Sequence, residues 1–179
     1  IGAKYIRDVE NGEVVYIENN ELKSIKPFPA RKVRPCVFEY IYFARPDSLL
    51  NGKSAYEHRK QFGIELAKEN KIKADIVVPV PDSGNAAALG FAQHLGINFE
   101  LGLIRNHYVG RTFIEPSQKI RSLGVKLKLN ANQSTIKDKV IILIDDSLVR
   151  GTTSHKIVKM LYDAGAKEVH VKIACPEIR

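Results

Sequence analysis

An α/β fold with a central, mainly parallel sheet flanked by helices, preceded by a small N-terminal β appendage, is what this chain predicts, on three observations. Residues 140–144 form an unbroken Val-Ile-Ile-Leu-Ile run that ends on two carboxylates, Asp145 and Asp146. A second apolar run, Ile76 to Val80, ends on the small polar loop Pro81-Asp82-Ser83-Gly84, and a helical pattern follows each run. Residues 13–25 instead alternate apolar and polar side chains. Uninterrupted apolar strands suit a parallel sheet covered on both faces. Strand–loop–helix–strand units cross over right-handedly and place their loops at the carboxyl edge of the sheet, where ligands sit.

In chain order, Glu13–Ile17 and Leu22–Ile25 around Asn19-Asn20 predict a hairpin. A lone hairpin is barely stable, and Pro27 and Pro29 punctuate a basic connector through Arg34 and Pro35, so residues 1–30 read as an appendage and 31–179 as the main domain. Cys36 to Phe43, with Phe38, Tyr40, Tyr42 and Phe43, predicts a core strand with Cys36 as a buried thiol. Ser54 and Glu57 make a capping box for a helix to about Asn70, with Phe62 and Leu66 on its apolar face. After the strand at 76–80 comes a small-residue helix, Asn85 to Leu95, stopped by Gly96. Leu101–Ile104 predicts a strand. Residues 105–130 form a long polar stretch, basic at Arg105, Arg111, Lys119, Arg121, Lys126 and Lys128, which is either a lid or a solvated loop. The run at 140–144 leads into a helix with Ile157, Val158 and Leu161 on one face and Gly165 at its stop, then a strand at Val169–Ala174.

The loop after Asp146 carries its own chemistry. Gly151 lets the backbone approach a ligand, Thr152 and Thr153 offer hydroxyls, and free amides at a helix start suit a phosphate monoester. Asp145 and Asp146 can accept hydrogen bonds from sugar hydroxyls or hold a hydrated divalent cation, so the combined preference is for a phosphorylated sugar with magnesium. The same residues would also serve as a plain helix cap beside two solvated carboxylates. Asp82-Ser83-Gly84 likewise reads as a second phosphate cradle or as an ordinary turn with a cap.

Across 179 residues, Lys and Arg exceed Asp and Glu by 28 to 20, for a formal charge of +8 that favours anionic partners. The basic residues are dispersed outside 105–128 and no aromatic-rich motif accompanies them, so nucleic acid is not an expected partner. Cys36 and Cys175 stand far apart with no Cys-x-x-Cys or Cys/His pairing, which supports neither zinc nor a disulfide framework. No long apolar segment or targeting pattern is present, and the expectation is a cytoplasmic protein that meets no membrane. The chain opens at Ile1 in mid-pattern, as a piece of a longer protein would.

Val-Ile-Ile-Leu-Ile-Asp-Asp-Ser-Leu-Val-Arg-Gly-Thr-Thr-Ser, residues 140–154, closely resembles the phosphoribosyl pyrophosphate (PRPP) signature of type I phosphoribosyltransferases, and its ending resembles the amidophosphoribosyltransferase family. Phe-Glu-Tyr-Ile-Tyr-Phe-Ala-Arg-Pro-Asp-Ser (38–48), Pro-Val-Pro-Asp-Ser-Gly-Asn-Ala-Ala-Ala (79–88) and Asn-His-Tyr-Val-Gly-Arg-Thr-Phe-Ile-Glu-Pro (106–116) are similar to that family in order and spacing. The resemblance implies a type I phosphoribosyltransferase fold. Residues 1–30 would be the tail and linker of a preceding glutaminase-type domain. The implied reaction transfers ammonia to C1 of PRPP, giving 5-phosphoribosylamine and pyrophosphate, the first committed step of de novo purine biosynthesis, here without the glutaminase half. Asp145, Asp146, Arg105 and Tyr108 would be catalytic. Asp82, Ser83, Gly84, Ser147, Leu148, Val149, Arg150, Gly151, Thr152 and Thr153 would bind substrate, and Ser83, Asp145 and Asp146 would meet Mg2+. Tyr40 and Ile114 would line the ammonia passage beneath a lid. Cys36 matches an iron–sulfur ligand position, but the next ligand would fall beyond Arg179, so no cluster is expected.

One departure from the family lies at Arg105-Asn106-His107-Tyr108, where Lys-Asn-Arg-Tyr is usual. Losing one charged contact there would cost about 1.5–3 kcal/mol. The implied partners are PRPP, ammonia and inhibitory purine nucleotides, with a homo-oligomer or a separate glutaminase chain as further expectations. The alternatives are a catalytically impaired remnant that binds PRPP or purine nucleotides, and a purine salvage phosphoribosyltransferase.

Overall fold

The computed structural model describes residues 2–29, 31–32, 34–106 and 128–176. The chain divides into two compact units, Ile1–Cys36 and Val37–Arg179. The first holds a hairpin of β1 (Val14–Glu18) and β2 (Glu21–Ile25), paired antiparallel from Val14↔Ile25 to Glu18↔Glu21. Asn19 and Asn20 turn it at φ 50° and 65°, the left-handed pair that a two-residue turn requires and asparagine tolerates.

The second unit carries a four-stranded parallel sheet in the order β10–β9–β5–β6, built from β5 (Ile76–Pro79), β6 (Asn98–Phe99), β9 (Val140–Asp145) and β10 (Glu168–Ile173). Around it lie the short antiparallel pairs β3 (Leu49–Leu50) with β4 (Lys53–Ser54) and β7 (Leu103–Arg105) with β8 (Leu129–Ala131). The helices are α1 (Ala55–Lys68), α2 (Asn85–Leu95), a single turn α3 (Gln133–Ile136) and α4 (Thr152–Asp163). None of the described helices is long and apolar enough to cross a membrane.

Alternation along β5 and β9 divides the core into two layers. Ile76, Val78, Ile141 and Leu143 pack with Ile157 and Leu161 of α4 and with Leu103 and Leu129. Val77, Ile142 and Ile144 pack on Ala67 of α1 and Ala87, Ala88 and Phe91 of α2. Both faces are therefore dry, which is why these strands read as continuous apolar runs. Each such aliphatic side chain contributes about 1.5–3 kcal/mol over its exposed state. The capping box forms as expected, with Ser54 Oγ accepting from the Glu57 amide and Glu57 accepting from the Ser54 amide.

Three expectations are corrected and one is refined. Residues 36–43 form no strand: Glu39–Phe43 is a π-helical turn, with Ile41 buried and Tyr42 and Phe43 exposed. β-propensity describes a fit to a pleated, half-buried surface, and this run meets no strand partner. Cys36 is exposed ahead of that turn, rather than buried in a sheet. The most deeply buried face of α1 is Ala55, Arg59, Gly63 and Ala67, because α2 crosses too closely there for large side chains; Phe62 and Leu66 are half-buried beside it, Leu66 packing on the core. The strand near 101 runs from Leu103 to Arg105, and its partner, β8, lies in what reads as polar loop.

Candidate functional site

The acidic pair stands where β9 leaves the sheet. The Asp145 carbonyl accepts the Ala174 amide at 2.9 Å and the Asp146 carbonyl accepts the Cys175 amide at 3.0 Å, so the neighbouring chain holds both backbones. Asp145 Oδ1 accepts the Asp146 amide at 2.9 Å. Asp146 Oδ1 accepts the Ser147 amide at 2.7 Å and the Ser147 hydroxyl at 3.3 Å. Asp146 is 7% exposed, and its Oδ2 is buried without a hydrogen-bond partner among the described residues. Burial first, then the Asp146 carboxylate, pushes the Asp145 pKa from 3.8 up to about 7. The pair is thus a concentration of acceptor capacity that donors or a cation would satisfy.

The following loop is shaped to bind through its backbone. Leu148 and Val149 leave apolar side chains 51% and 83% exposed. Gly151 at φ 69° is the N-cap of α4, a conformation that any side chain would strain. No side chain caps the helix, and the first intrahelical bond from its start is His155 N–H to the Gly151 carbonyl at 2.9 Å. The amides of Thr152, Thr153 and Ser154 therefore open a helix N-terminus, where an anion is favoured.

The second loop starts from the adjacent strand. The Val80 amide donates to the Ile144 carbonyl at 2.8 Å, and the Gly84 amide to the Val80 carbonyl at 2.9 Å. A Cβ on Gly84 would stand 2.6 Å from the Ile144 carbonyl oxygen, so only glycine lets this loop lie against β9. α2 also begins without a side-chain cap. Asp82 pairs with Arg105 at the end of β7, bringing together two of the residues that the resemblance implies for the site. Ser83 and Asp146 line one small cavity between the loops and α1. Tyr40 sits on the π-helical turn, its hydroxyl accepting from Asn51 Nδ2 at 2.6 Å and its ring meeting His58 edge-on. His107, Tyr108, Ile114 and the body of the expected lid lie outside the described residues.

Arg59 is the site residue that sequence reasoning misses. It reaches the same cavity from α1. Its signal was present: an arginine in register with Ala55, Gly63 and Ala67 at four-residue spacing sits in a row of small buried residues. Among the described residues, no group of three or more His, Cys, Asp or Glu side chains could cage a metal ion. A cation here would bring further ligands with it.

Residues 47–176 match the family model described as phosphoribosyl transferase domain. Over 183 residues the chain is 58% identical to the amidophosphoribosyltransferase of Rhizobium etli, covering 99% of this chain and 37% of that protein. With the amidophosphoribosyltransferase of Archaeoglobus fulgidus it shares 48% over 178 residues, covering 99% and 39%. The solved glutamine PRPP amidotransferase from B. subtilis, complexed with ADP and GMP, superimposes with a TM-score of 0.84 at 50% identity, covering 99% of this chain and 39% of that one. The chain spans less than half the length of the curated relatives it matches.

Proposed function

The chain belongs to the phosphoribosyl transferase domain family, and from that premise we propose that it transfers ammonia to C1 of PRPP, yielding 5-phosphoribosylamine and pyrophosphate for purine synthesis in the cytoplasm. The nitrogen lone pair forms the new C1–N bond, the C1–O bond to the diphosphate breaks, and its electron pair leaves with pyrophosphate while the nitrogen sheds a proton. Ammonia is already a nucleophile, so the protein's task is to position the sugar and stabilise the leaving charge. The observation that carries this reading is the half-buried Asp145 and buried Asp146 running into an uncapped helix start, one strand away from the Asp82–Arg105 pair.

Asp145 and Asp146 accept the ribose hydroxyls. The amides and hydroxyls of Ser147 to Thr153 hold the 5-phosphate, and Asp82 to Gly84 with Arg105 hold the diphosphate. Tyr40 borders the approach of ammonia. The residues suit magnesium: Ser83, Asp145 and Asp146 offer hard oxygens, and Asp146 Oδ2 is a buried acceptor that no donor among the described residues reaches. When bound, magnesium neutralises charge on the diphosphate. Purine nucleotides, like the ADP and GMP complexed with the solved relative, would compete for the same phosphate loop.

The test is pyrophosphate release from magnesium–PRPP with and without ammonium, at a pH that supplies free ammonia. Ammonium-dependent release that falls about ten- to a hundredfold in Asp145→Asn is the expected result, the loss of one charged contact. No release from folded protein would leave a nucleotide-binding domain without turnover. Nucleotide formation from a free purine base would make it a salvage enzyme instead.

A further inference from the structure

Arg59 lies mid-way along α1 with 6% of its surface exposed. Buried arginines are ordinarily paired, yet among the described residues it makes no direct ion pair. Its Nε donates to the Tyr40 carbonyl at 2.9 Å, and its Nη2 donates to the carbonyls of Ala44 at 2.7 Å and Glu39 at 3.4 Å. Those neutral oxygens satisfy N–H groups but not the charge. Across a cavity of about 10 Å3, shared with Ile41, Phe62, Ser83 and Cys175, stands Asp146 with its unpartnered Oδ2. Burial holds the Arg59 guanidinium below its ordinary pKa, while the Asp146 charge acts in the opposite sense. Two opposite charges so little exposed are weakly screened by solvent.

We propose that Arg59 is a positioning residue for the acidic site: it supplies the counter-charge of Asp146 across the cavity and, through the same guanidinium, ties the aromatic turn 39–44 to that carboxylate. This rests on reading Asp145 and Asp146 as the PRPP site. Arg59 touches no reacting atom; it acts through Asp146. The turn that carries Tyr40 and the loop that holds the sugar thereby share one anchor.

The test is a double-mutant cycle on the full chain with Arg59→Gln, Arg59→Lys and Asp146→Asn, read in two ways. Without ligand, Arg59→Gln is expected to lower the Tm by several degrees in the wild-type background and by less than half as much beside Asp146→Asn, where no anion is left stranded. With magnesium–PRPP, calorimetry is expected to show about tenfold weaker binding for Arg59→Gln and partial recovery for Arg59→Lys. Neither should alter the residual binding of the Asp146→Asn protein. Equal Tm losses in the two backgrounds would overturn the proposal. Should Arg59→Gln leave no folded protein, Arg59→Lys carries the same cycle. A wild-type chain that binds no magnesium–PRPP sinks the functional reading, while the ligand-free cycle still decides whether Arg59 and Asp146 are paired.

Discussion

At Asp145, folding works against ionisation. Its carboxyl titrates near 3.8 when free and is pushed up to about 7 in the folded chain by burial and by Asp146. Between those values the unfolded chain has released a proton that the folded chain still binds, so stability falls as pH rises through the window and stays lowered above it. At about 1.4 kcal/mol per pH unit, the upper bound on the loss is about 4 kcal/mol. Asp145→Asn should therefore raise the Tm of the ligand-free chain at pH 8, with the gain shrinking towards zero near pH 4; thermal scans across that range check it. Arg105 should show the reverse balance. Its pair with Asp82 is partly exposed, with side-chain exposures of 32% and 52%, and such pairs contribute about 0–1 kcal/mol. Arg105→Ala should leave the denaturation midpoint nearly unchanged while weakening magnesium–PRPP binding about tenfold or more, measured by calorimetry.

The elements that could be read from sequence are those specified by their own local pattern. β5 and β9 are apolar throughout because both faces are covered, and α1 announces its start through Ser54 and Glu57. Asp145, Asp146 and the loop to Thr153 were legible for the same reason, since strand, carboxylates and glycine are contiguous. What escaped depends on partners distant in sequence. The aromatic run 38–43 has strand-like composition, but its carbonyls are claimed by Arg59 on α1. β8 lies in polar text and exists through its pairing with β7. The face of α1 is decided by α2: a Cβ at Gly63 would stand 1.8 Å from the Ala87 carbonyl oxygen, and one at Gly90 2.1 Å from that of Lys60. Helix propensity favours Gly63→Ala by up to about 1 kcal/mol. The crossing has no room for it, so the substitution should instead destabilise by about 1–3 kcal/mol, seen as a lower denaturant midpoint. An unchanged or higher midpoint would mean that the helices separate readily.

For the molecule as a whole, order should be distributed unevenly between its two units. The Ile1–Cys36 unit offers a two-stranded hairpin whose Ile17 and Leu22 are largely exposed, whereas Ile141, Ile142, Leu143 and Ile144 are buried almost completely. Amide hydrogen exchange should thus be orders of magnitude faster in Val14–Ile25 than in β5 and β9. Comparable protection in both would show that the hairpin gains support beyond its own pairing. The direct pairing of β5 with β9 has a further consequence. Adjacent strands stand about 4.8 Å apart, and the Val80–Ile144 hydrogen bond and the close fit of Gly84 carry that spacing up to the loops. On the proposed reading, the two loops would work as a caliper with a locked jaw. A molecule whose charged ends lie much nearer or farther apart would reach one loop and miss the other, whatever its polarity. Cargo would then be sorted by length before any side chain reads its chemistry, and teaching this scaffold a longer substrate would require re-spacing strands rather than exchanging loop residues.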